Sequence, residues 1–156
     1  MPQAVLTALK SIQDQKLVQL PSAELAAGQS RLRIERFALT SNNVTYAATG
    51  FDIGYWKFFP VAEDGQGLVP VWGFAQVVES ASDVLDVGDR LYGFFPFAEE
   101  LVMTPATHGG AAVRDVAQHR VGLPDVYNIY SRVGAADGSE PYRALMQPLI
   151  ATSYLL

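Results

Sequence analysis

The stretch Val69-Pro-Val-Trp-Gly-Phe-Ala-Gln-Val-Val-Glu-Ser80 is followed, after a short polar loop, by Val87-Gly-Asp-Arg-Leu-Tyr-Gly93. The first segment is apolar and begins beside a proline. The second places glycine and aspartate, which tolerate a tight turn, directly before another apolar run. The pattern predicts two neighbouring β-strands, the second over residues 91–95, that pair across one core with residues 77–78 opposite residues 91–92.

Three further segments have strand character. Residues 31–36 alternate charged and apolar side chains, which is typical of a strand with one exposed face. The alternation breaks at residues 37–39, where we expect a bulge or the end of the strand. Residues 15–20 and 98–104 are predicted as strands that each stop at a proline.

Helical character is confined to a few segments. Residues 4–14 are ambiguous between a short helix and an irregular lead-in, and residues 41–43 are predicted as a polar loop or cap. Residues 113–120 are predicted to be helical, with a second helical excursion over residues 125–133. Residues 140–156 begin as a helix with an apolar face.

Composition limits the class of protein. The chain has 156 residues, of which 49 % are apolar and 17 % charged, enough for one domain with a substantial core. Its net charge of −5 argues against a nucleic-acid partner. The absence of cysteine excludes disulfides, thiolate zinc sites and a cysteine nucleophile. With neither a secretory signal nor a run of about 20 apolar residues, we expect a cytoplasmic protein without a membrane partner.

Several phrases resemble one known family. With the Val-Gly-Asp-Arg turn, they are similar to the GroES-like N-terminal domain of zinc-free, quinone-oxidoreductase-like medium-chain dehydrogenases/reductases. The match is closer to a branch of that superfamily defined as a domain of unknown function. The phrases are Phe37-Ala-Leu-Thr-Ser-Asn-Asn-Val-Thr-Tyr46, Tyr55-Trp-Lys-Phe-Phe-Pro60, Val69-Pro-Val-Trp-Gly-Phe74 and Tyr92-Gly-Phe-Phe-Pro96.

The resemblance implies a fold that is mostly β with short helices. Residues 1–140 would form a partly open GroES-like β-barrel, and residues 141–156 a junction helix leading to a nucleotide-binding Rossmann domain that this chain lacks. The apolar end Ser153-Tyr-Leu-Leu156 is unusual for a terminus. We therefore expect either a truncated piece of a longer protein or an end buried against a partner.

The implied function is that of a substrate-side domain of an NAD(P)-dependent oxidoreductase. Such an enzyme would reduce a small apolar carbonyl, enone or quinone with NADPH or NADH. The chain contains no Gly-x-Gly-x-x-Gly and no Gly-x-x-x-x-Gly-Lys motif, so no cofactor site is predicted within it, and alone it should be inactive. Its only histidines, His108 and His119, cannot complete a tetrahedral zinc shell, so no metal is predicted.

The resemblance also implies a catalytic segment after the first long strand. In zinc-free relatives a polar Asn and a Tyr lie near the nicotinamide, and the corresponding residues here are Asn42 or Asn43 and Tyr46. Either Asn would donate a hydrogen bond to the substrate carbonyl, and Tyr46 would stack on a ring or supply a proton. The alternative is that Asn43 satisfies backbone groups of a loop and that Tyr46 packs in the barrel.

Two aromatic runs are candidates for the walls of a substrate cleft. Tyr55, Trp56 and Phe95 are predicted to contact a flat apolar substrate. Packing in the barrel core or between domains explains these side chains equally well.

A second function remains open. The chain can also be a stand-alone, non-enzymatic β-barrel interaction module. Apolar side chains spread over more than one stripe of residues 142–156, so a single barrel cannot cover them all. We expect this surplus surface to pack against a nucleotide-binding domain or to drive formation of a homodimer.

Overall fold

The computed structural model describes residues 1–154, with side chains through residue 150. The strands are β1 (Gln3–Ala8), β2 (Ser11–Gln19), β3 (Ser30–Ala38), β4 (Gln66–Leu68), β5 (Pro70–Ser80), β6 (Arg90–Pro96), β7 (Glu100–Met103), β8 (Pro105–His108), β9 (Ala112–Asp115) and β10 (Ile129–Val133). The α-helices are α1 (Ser41–Ala48), α2 (Gly50–Ile53) and α3 (Glu140–Tyr154). Single 3₁₀ turns lie at Tyr55–Lys57, Gln118–Arg120 and Asp125–Tyr127.

The strands form two sheets that meet along one seam. The larger sheet has the order β7-β3-β5-β6-β10-β9-β8, and the smaller has the order β2-β1-β4. Phe97, between β6 and β7, accepts a hydrogen bond from Val5 N at 3.0 Å, and Glu99 N donates to Gln3 O at 2.8 Å. These bonds nearly close a barrel, so the predicted fold class, mostly β with short helices, is confirmed.

The β5–β6 hairpin is the centre of the larger sheet. Its two strands lie where the sequence predicts them, but the predicted pairing is wrong, because Leu91 lies opposite Ala75 and Tyr92 opposite Phe74. Val77 instead pairs with the turn, donating to Asp89 O at 2.8 Å and accepting from Gly88 N at 2.9 Å. The turn needs its glycine, since Gly88 has a φ of +99°.

Alternate residues of this hairpin face opposite sides of the sheet, as the two-residue period of a strand requires. We define the inner face as Val71, Ala75, Leu91 and Phe95, which lie in the core that the larger sheet encloses. We define the outer face as Trp72, Phe74, Tyr92 and Phe94, which pack against helical segments. Across the inner core lies Tyr130, whose hydroxyl donates to Phe94 O at 2.6 Å.

Two segments predicted to be helical are strands instead. Residues 112–115 form β9 and residues 129–133 form β10, which pairs with both β9 and β6. Val113 and Tyr130 are 1 % and 0 % exposed, so pairing that buries them in the core overrides the local helical pattern. Only the 3₁₀ turns at Gln118–Arg120 and Asp125–Tyr127 retain helical character.

The beginning of the chain differs from its prediction in a similar way. Residues 4–14 are neither a helix nor an irregular lead-in, because they contribute to β1 and β2 of an antiparallel hairpin. Ala4 and Leu6 of β1 are buried, which fixes this segment as a strand. In contrast, residues 41–43 are the first turn of helix α1 rather than a loop.

The other sequence-based assignments agree with the structure. The alternating segment 31–36 lies within β3, which ends at Ala38 where the alternation breaks. The predicted C-terminal helix is α3, with Pro148 inside it. Within residues 1–154, no helix is both long and apolar enough to span a membrane. Residues 155 and 156, part of the predicted apolar end, lie outside the described residues.

Candidate functional site

The outer face of the hairpin carries a candidate site, because Trp72 on this face contacts Tyr46, one of the residues that the resemblance implicates in catalysis. Trp72 is fixed by its neighbours in the sheet, Ala38 of β3 and Phe94 of β6. The indole ring lies 5.2 Å from the ring of Phe94 and stacks on that of Tyr92 at 5.9 Å, with an angle of 24° between the planes. Helices α1 and α3 and the two 3₁₀ turns at residues 55–57 and 125–127 contribute the remaining side chains.

Tyr46 of α1 meets Trp72 through a hydrogen bond. The indole Nε1 donates to the Tyr46 hydroxyl oxygen at 3.0 Å. An indole N–H can only donate, so the hydrogen of the Tyr46 hydroxyl is not used in this contact. Burial raises the pKa of Tyr46, the Trp72 hydrogen bond lowers it and the nearby Tyr55 raises it, with a net rise. Tyr46 is therefore a neutral phenol at physiological pH, and its hydrogen has no acceptor among the described residues.

Two further hydroxyl groups, those of Tyr55 and Tyr127, lie beside Tyr46. The hydroxyls of Tyr55 and Tyr127 are 2.8 Å apart, and one of them donates to the other. The ring of Tyr55 packs against that of Tyr46 with 4.8 Å between centroids. Burial, followed by the bond to Tyr55, raises the pKa of Tyr127. This wall of the site is thus aromatic but carries neutral polar groups.

Helix α3 closes the site from the other side. Its first residue, Glu140, is 3 % exposed and forms an ion pair with Arg90 at 2.8 Å, and Arg90 also contacts Glu35 of β3 at 2.6 Å. One turn later the Arg143 guanidinium lies 5.2 Å from the Phe74 ring and 5.7 Å from the Tyr92 ring. These contacts hold α3 against the outer face.

Asn43 is engaged within the fold. Its Oδ1 accepts from Thr40 N at 2.6 Å, and its Nδ2 donates to Pro70 O at 2.8 Å. With Thr40 as the N-cap, this arrangement is a capping box that satisfies the beginning of α1. One N–H of the amide remains, yet the side chain is only 8 % exposed. The geometry accounts for Asn43 as a structural residue.

Asn42 is placed differently. Its side chain has no hydrogen-bond partner among the described residues, and it lines a crevice between α1 and α3 together with Tyr46 and Trp72. The sequence left open which asparagine would contact the substrate. In the structure, the side-chain amide of Asn42 is the one that is available to a ligand.

The space around these groups is uneven. The crevice between α1 and α3 has a volume of about 10 Å³, room for about one water molecule. On the other side of Asn43 lies an apolar pocket of about 220 Å³, walled by Leu39, Val44 and Phe97 among others. A substrate in contact with Tyr46 needs a wider opening between α1 and α3 than the crevice provides.

Two of the residues predicted to contact substrate lie elsewhere. Phe95 belongs to the inner face and is 0 % exposed, so the barrel wall separates it from Tyr46. Trp56 fills a slot between two glycines, because a Cβ on Gly50 or Gly67 would approach its indole within 2.2 Å or 2.5 Å. Its Nε1 has no hydrogen-bond partner among the described residues. Only Tyr55 of the three lies beside Tyr46.

Sequence reasoning did not single out Trp72, Tyr92 or Tyr127. Trp72 and Tyr92 stand within the quoted strand phrases, at the positions that alternate with the inner residues, so the two-residue period places them together on one face. Tyr127 lies in a segment predicted to be helical and has no such signal. Its position depends on the turn that precedes β10.

Neither histidine is among the residues that line the crevice between α1 and α3. His108 is exposed at the end of β8, and His119 lies with its Nε2 3.1 Å from Phe58 O. Burial lowers the pKa of His119, with a further contribution from Arg120. In the part of the chain that the structure describes, no three His, Asp or Glu side chains are grouped so that they could hold a metal ion.

Comparisons with known proteins give two similarities. A quinone oxidoreductase from Coxiella burnetii is 19 % identical, with a TM-score of 0.45 over 81 % of this chain. This chain spans 40 % of the length of that structure. No curated protein is significantly similar. Residues 37–156 match the model of a family described as protein of unknown function (DUF2855), and the chain therefore belongs to that family.

Proposed function

We propose that this chain is the substrate-side domain of a zinc-independent, NAD(P)-dependent oxidoreductase that reduces an activated carbonyl, enone or quinone. The observation that carries the proposal is the pair of hydrogen-bond donors at the crevice. Among the described residues, neither the Tyr46 hydroxyl hydrogen nor the Asn42 side-chain amide has a hydrogen-bond partner, and both lie between α1 and α3.

The chemistry follows from these two groups. Reduction of a carbonyl or quinone adds a hydride to the substrate and leaves negative charge on its oxygen. A neutral donor held at that oxygen stabilises the charge as it develops, and a phenol can go on to transfer its proton. Because burial keeps Tyr46 protonated, its proton is present when the oxygen needs it.

The aromatic walls suit the same substrates. The rings of Tyr46, Tyr55, Phe94 and Trp72 form one contiguous cluster, and Trp72 is the one of these rings that is only half-buried, so a flat apolar molecule would contact it first. The dihydronicotinamide that supplies the hydride would be held by a nucleotide-binding domain of a longer protein. We assign no NADH or NADPH contact to residues of this chain.

The test uses a full-length protein that contains this chain and a nucleotide-binding domain. NADPH or NADH oxidation is followed with a panel of quinones and enones. Tyr46→Phe keeps the ring but removes the proton, and we expect kcat to fall by about 10²–10⁴-fold. Asn42→Ala should lower kcat/KM as well, and Tyr142→Phe, at a side chain that is 62 % exposed, serves as the matched control. Wild-type activity in Tyr46→Phe would refute the assignment.

The second function, a non-enzymatic interaction module, is favoured by one separate observation. Large apolar side chains are exposed around α1 and α2, with Leu39, Val44 and Phe51 exposed by 57 %, 59 % and 65 %. On α3, Leu145 and Ile150 are 44 % and 47 % exposed. Surfaces of this kind support association with another chain.

Two measurements on the isolated chain discriminate between these functions. The oxidoreductase domain should show no saturable NADPH binding below about millimolar, because it lacks a phosphate-binding turn. The module should instead form a stable dimer or complex that Phe51→Ser weakens. Light scattering that shows a monomer for both wild type and Phe51→Ser would exclude association through this surface.

A further inference from the structure

We infer that Trp72 is a positioning residue, which aims the Tyr46 hydroxyl at the substrate oxygen and holds the negative charge that remains when the proton has left. The catalytic part of this inference rests on the proposed function. The hydrogen bond and its effect on Tyr46 are properties of the chain alone and can be measured without cofactor or substrate.

The position of the indole is fixed by the fold. Trp72 is the third residue of β5 and lies between Ala38 and Phe94 in adjacent strands. The indole ring stacks on Tyr92 at 5.9 Å and contacts Phe94 at 5.2 Å between ring centroids, so it is packed on two sides. The N–H therefore points in one direction, toward the Tyr46 oxygen at 3.0 Å.

That direction determines what Tyr46 can do. A phenol oxygen that accepts a hydrogen bond from one side must direct its own hydrogen elsewhere. Because the indole N–H cannot accept, Tyr46 does not donate its hydrogen to Trp72, and no acceptor for that hydrogen lies among the described residues. A hydroxyl or carbonyl at position 72 would not have this effect, because either of them accepts.

The same bond serves the step after proton transfer. The Tyr46 O–H bond breaks, a new O–H bond forms on the substrate oxygen, and the hydride that completes the reduction comes from a dihydronicotinamide. Tyr46 is left as a phenolate, which later regains a proton from water. The indole N–H is already aimed at the charged oxygen, and hydrogen bonds to charged groups are stronger than those to neutral ones.

The remaining groups around Tyr46 do not replace Trp72. The titratable side chains that face it are Tyr55, Tyr92 and Tyr127, and the nearby cation, Arg143, lies over the rings of Phe74 and Tyr92. Tyr55 raises the pKa of Tyr46, whereas the hydrogen bond from Trp72 lowers it. Trp72 is thus the contact that favours the charged form.

The first experiment detects the hydrogen bond by NMR on this chain. The sequence contains two tryptophans, so two indole N–H signals are expected. Tyr46→Phe removes the acceptor, and the Trp72 signal should move upfield and exchange faster with solvent. The Trp56 signal is the internal control, since its Nε1 has no hydrogen-bond partner among the described residues. A Trp72 signal that is the same in Tyr46→Phe would overturn the inference.

The second experiment removes the donor and keeps the shape. Replacing Trp72 by benzothienylalanine, in which sulfur takes the place of the N–H, preserves the ring packing, and Trp72→Phe is the simpler variant. With ¹³C-labelled tyrosine, the Tyr46 resonance should titrate at higher pH in both variants than in wild type. An unchanged midpoint in both would contradict the charge-holding role.

The third experiment joins the inference to catalysis. In the full-length protein, the benzothienylalanine variant should lose about tenfold or more in kcat with KM within about twofold, because a hydrogen bond that strengthens as charge develops on Tyr46 is lost. The pH above which its rate declines should be higher than in the wild type. Wild-type kcat would refute the positioning role. If the NMR responses are as expected but no substrate is turned over by wild type, the proposed function fails and the hydrogen bond stands.

Discussion

The two faces of the β5–β6 hairpin differ in what covers them. The inner residues Val71, Leu91 and Phe95 are covered by other strands of the same barrel and are completely buried. The outer residues Trp72 and Tyr92 are covered by helical segments that come from distant parts of the chain. The inner face is thus entirely apolar, whereas the outer face also carries indole and hydroxyl groups. The candidate site lies where the helical segments that cover the outer face bring hydroxyl and amide groups together.

The largest expected effect tests the inner face. Phe95→Ala should lower the free energy of unfolding by about 3–5 kcal/mol, because it removes a completely buried ring and leaves a cavity. Urea denaturation measures the change. Tyr142→Ala, at a side chain that is 62 % exposed, should change stability by no more than about 0.5 kcal/mol. A loss below about 1 kcal/mol for Phe95→Ala would mean that the inner face is not the stabilising core.

A glycine in the same strand tests how tightly the inner face is packed. A Cβ on Gly93 would lie 2.4 Å from Cδ1 of Tyr130, so Gly93→Ala must displace a buried ring and should cost about 1–3 kcal/mol. Gly109→Ala is the matched control, since a Cβ there meets no atom within 4 Å. Thermal unfolding of both variants decides the matter, and equal melting temperatures would show that Tyr130 can move aside at little cost.

The next effect separates the two asparagines on the outer side. Asn43→Ala removes two internal hydrogen bonds, one of which caps α1, and should lower stability by about 1–2 kcal/mol. Asn42→Ala removes no side-chain bond within the described residues and should have almost no effect on stability. If Asn43→Ala melts like wild type while catalysis is lost, the catalytic role moves from Asn42 to Asn43.

A smaller effect, of opposite sign, is expected at Tyr92. Its hydroxyl is buried and has no hydrogen-bond partner among the described residues, so removing it relieves a cost. Tyr92→Phe should leave the free energy of unfolding unchanged or raise it by up to about 1 kcal/mol. Tyr130→Phe is the comparison, because that hydroxyl donates to Phe94 O and its loss should destabilise. Marked destabilisation by Tyr92→Phe would reveal a partner for the hydroxyl.

The smallest effect concerns pH. Burial, followed by Arg120, lowers the pKa of His119 in the folded chain. Around and below the ordinary histidine pKa, the unfolded chain therefore binds more protons than the folded chain. The stability contributed by neutral His119 is fully present above that pKa and is lost as the pH falls toward the lowered pKa of the folded chain. His119→Gln should make unfolding less sensitive to acid between pH 7 and 5. Equal acid sensitivity in wild type and His119→Gln would exclude the effect.

The site was only partly accessible from the sequence. Tyr46 and Asn42 could be named because they belong to a phrase that resembles a catalytic segment, and Tyr55 because it is one of an aromatic run. Phe95 was included for the same reason as Tyr55, yet a single step along a strand turned it to the inner face. Neighbouring aromatic residues in a strand therefore face opposite sides of the sheet. Which of them lines a site depends on the register of the strand.

By itself the sequence determined the β5 and β6 strands, the Gly-Asp turn and the family to which the chain belongs. The strands and the turn depend on local preferences: the positive φ at Gly88, the apolar strand pattern and the boundaries set by prolines. The family follows from the resemblance of several longer phrases. Only the tertiary structure decided that Trp72 donates to Tyr46, 26 residues away, and that Tyr55 meets Tyr127, 72 residues away. It likewise turned residues 112–115 and 129–133 into strands. Contacts between distant residues depend on which surfaces remain exposed once the core has formed and are then covered by other segments of the chain. Local propensity does not predict these contacts.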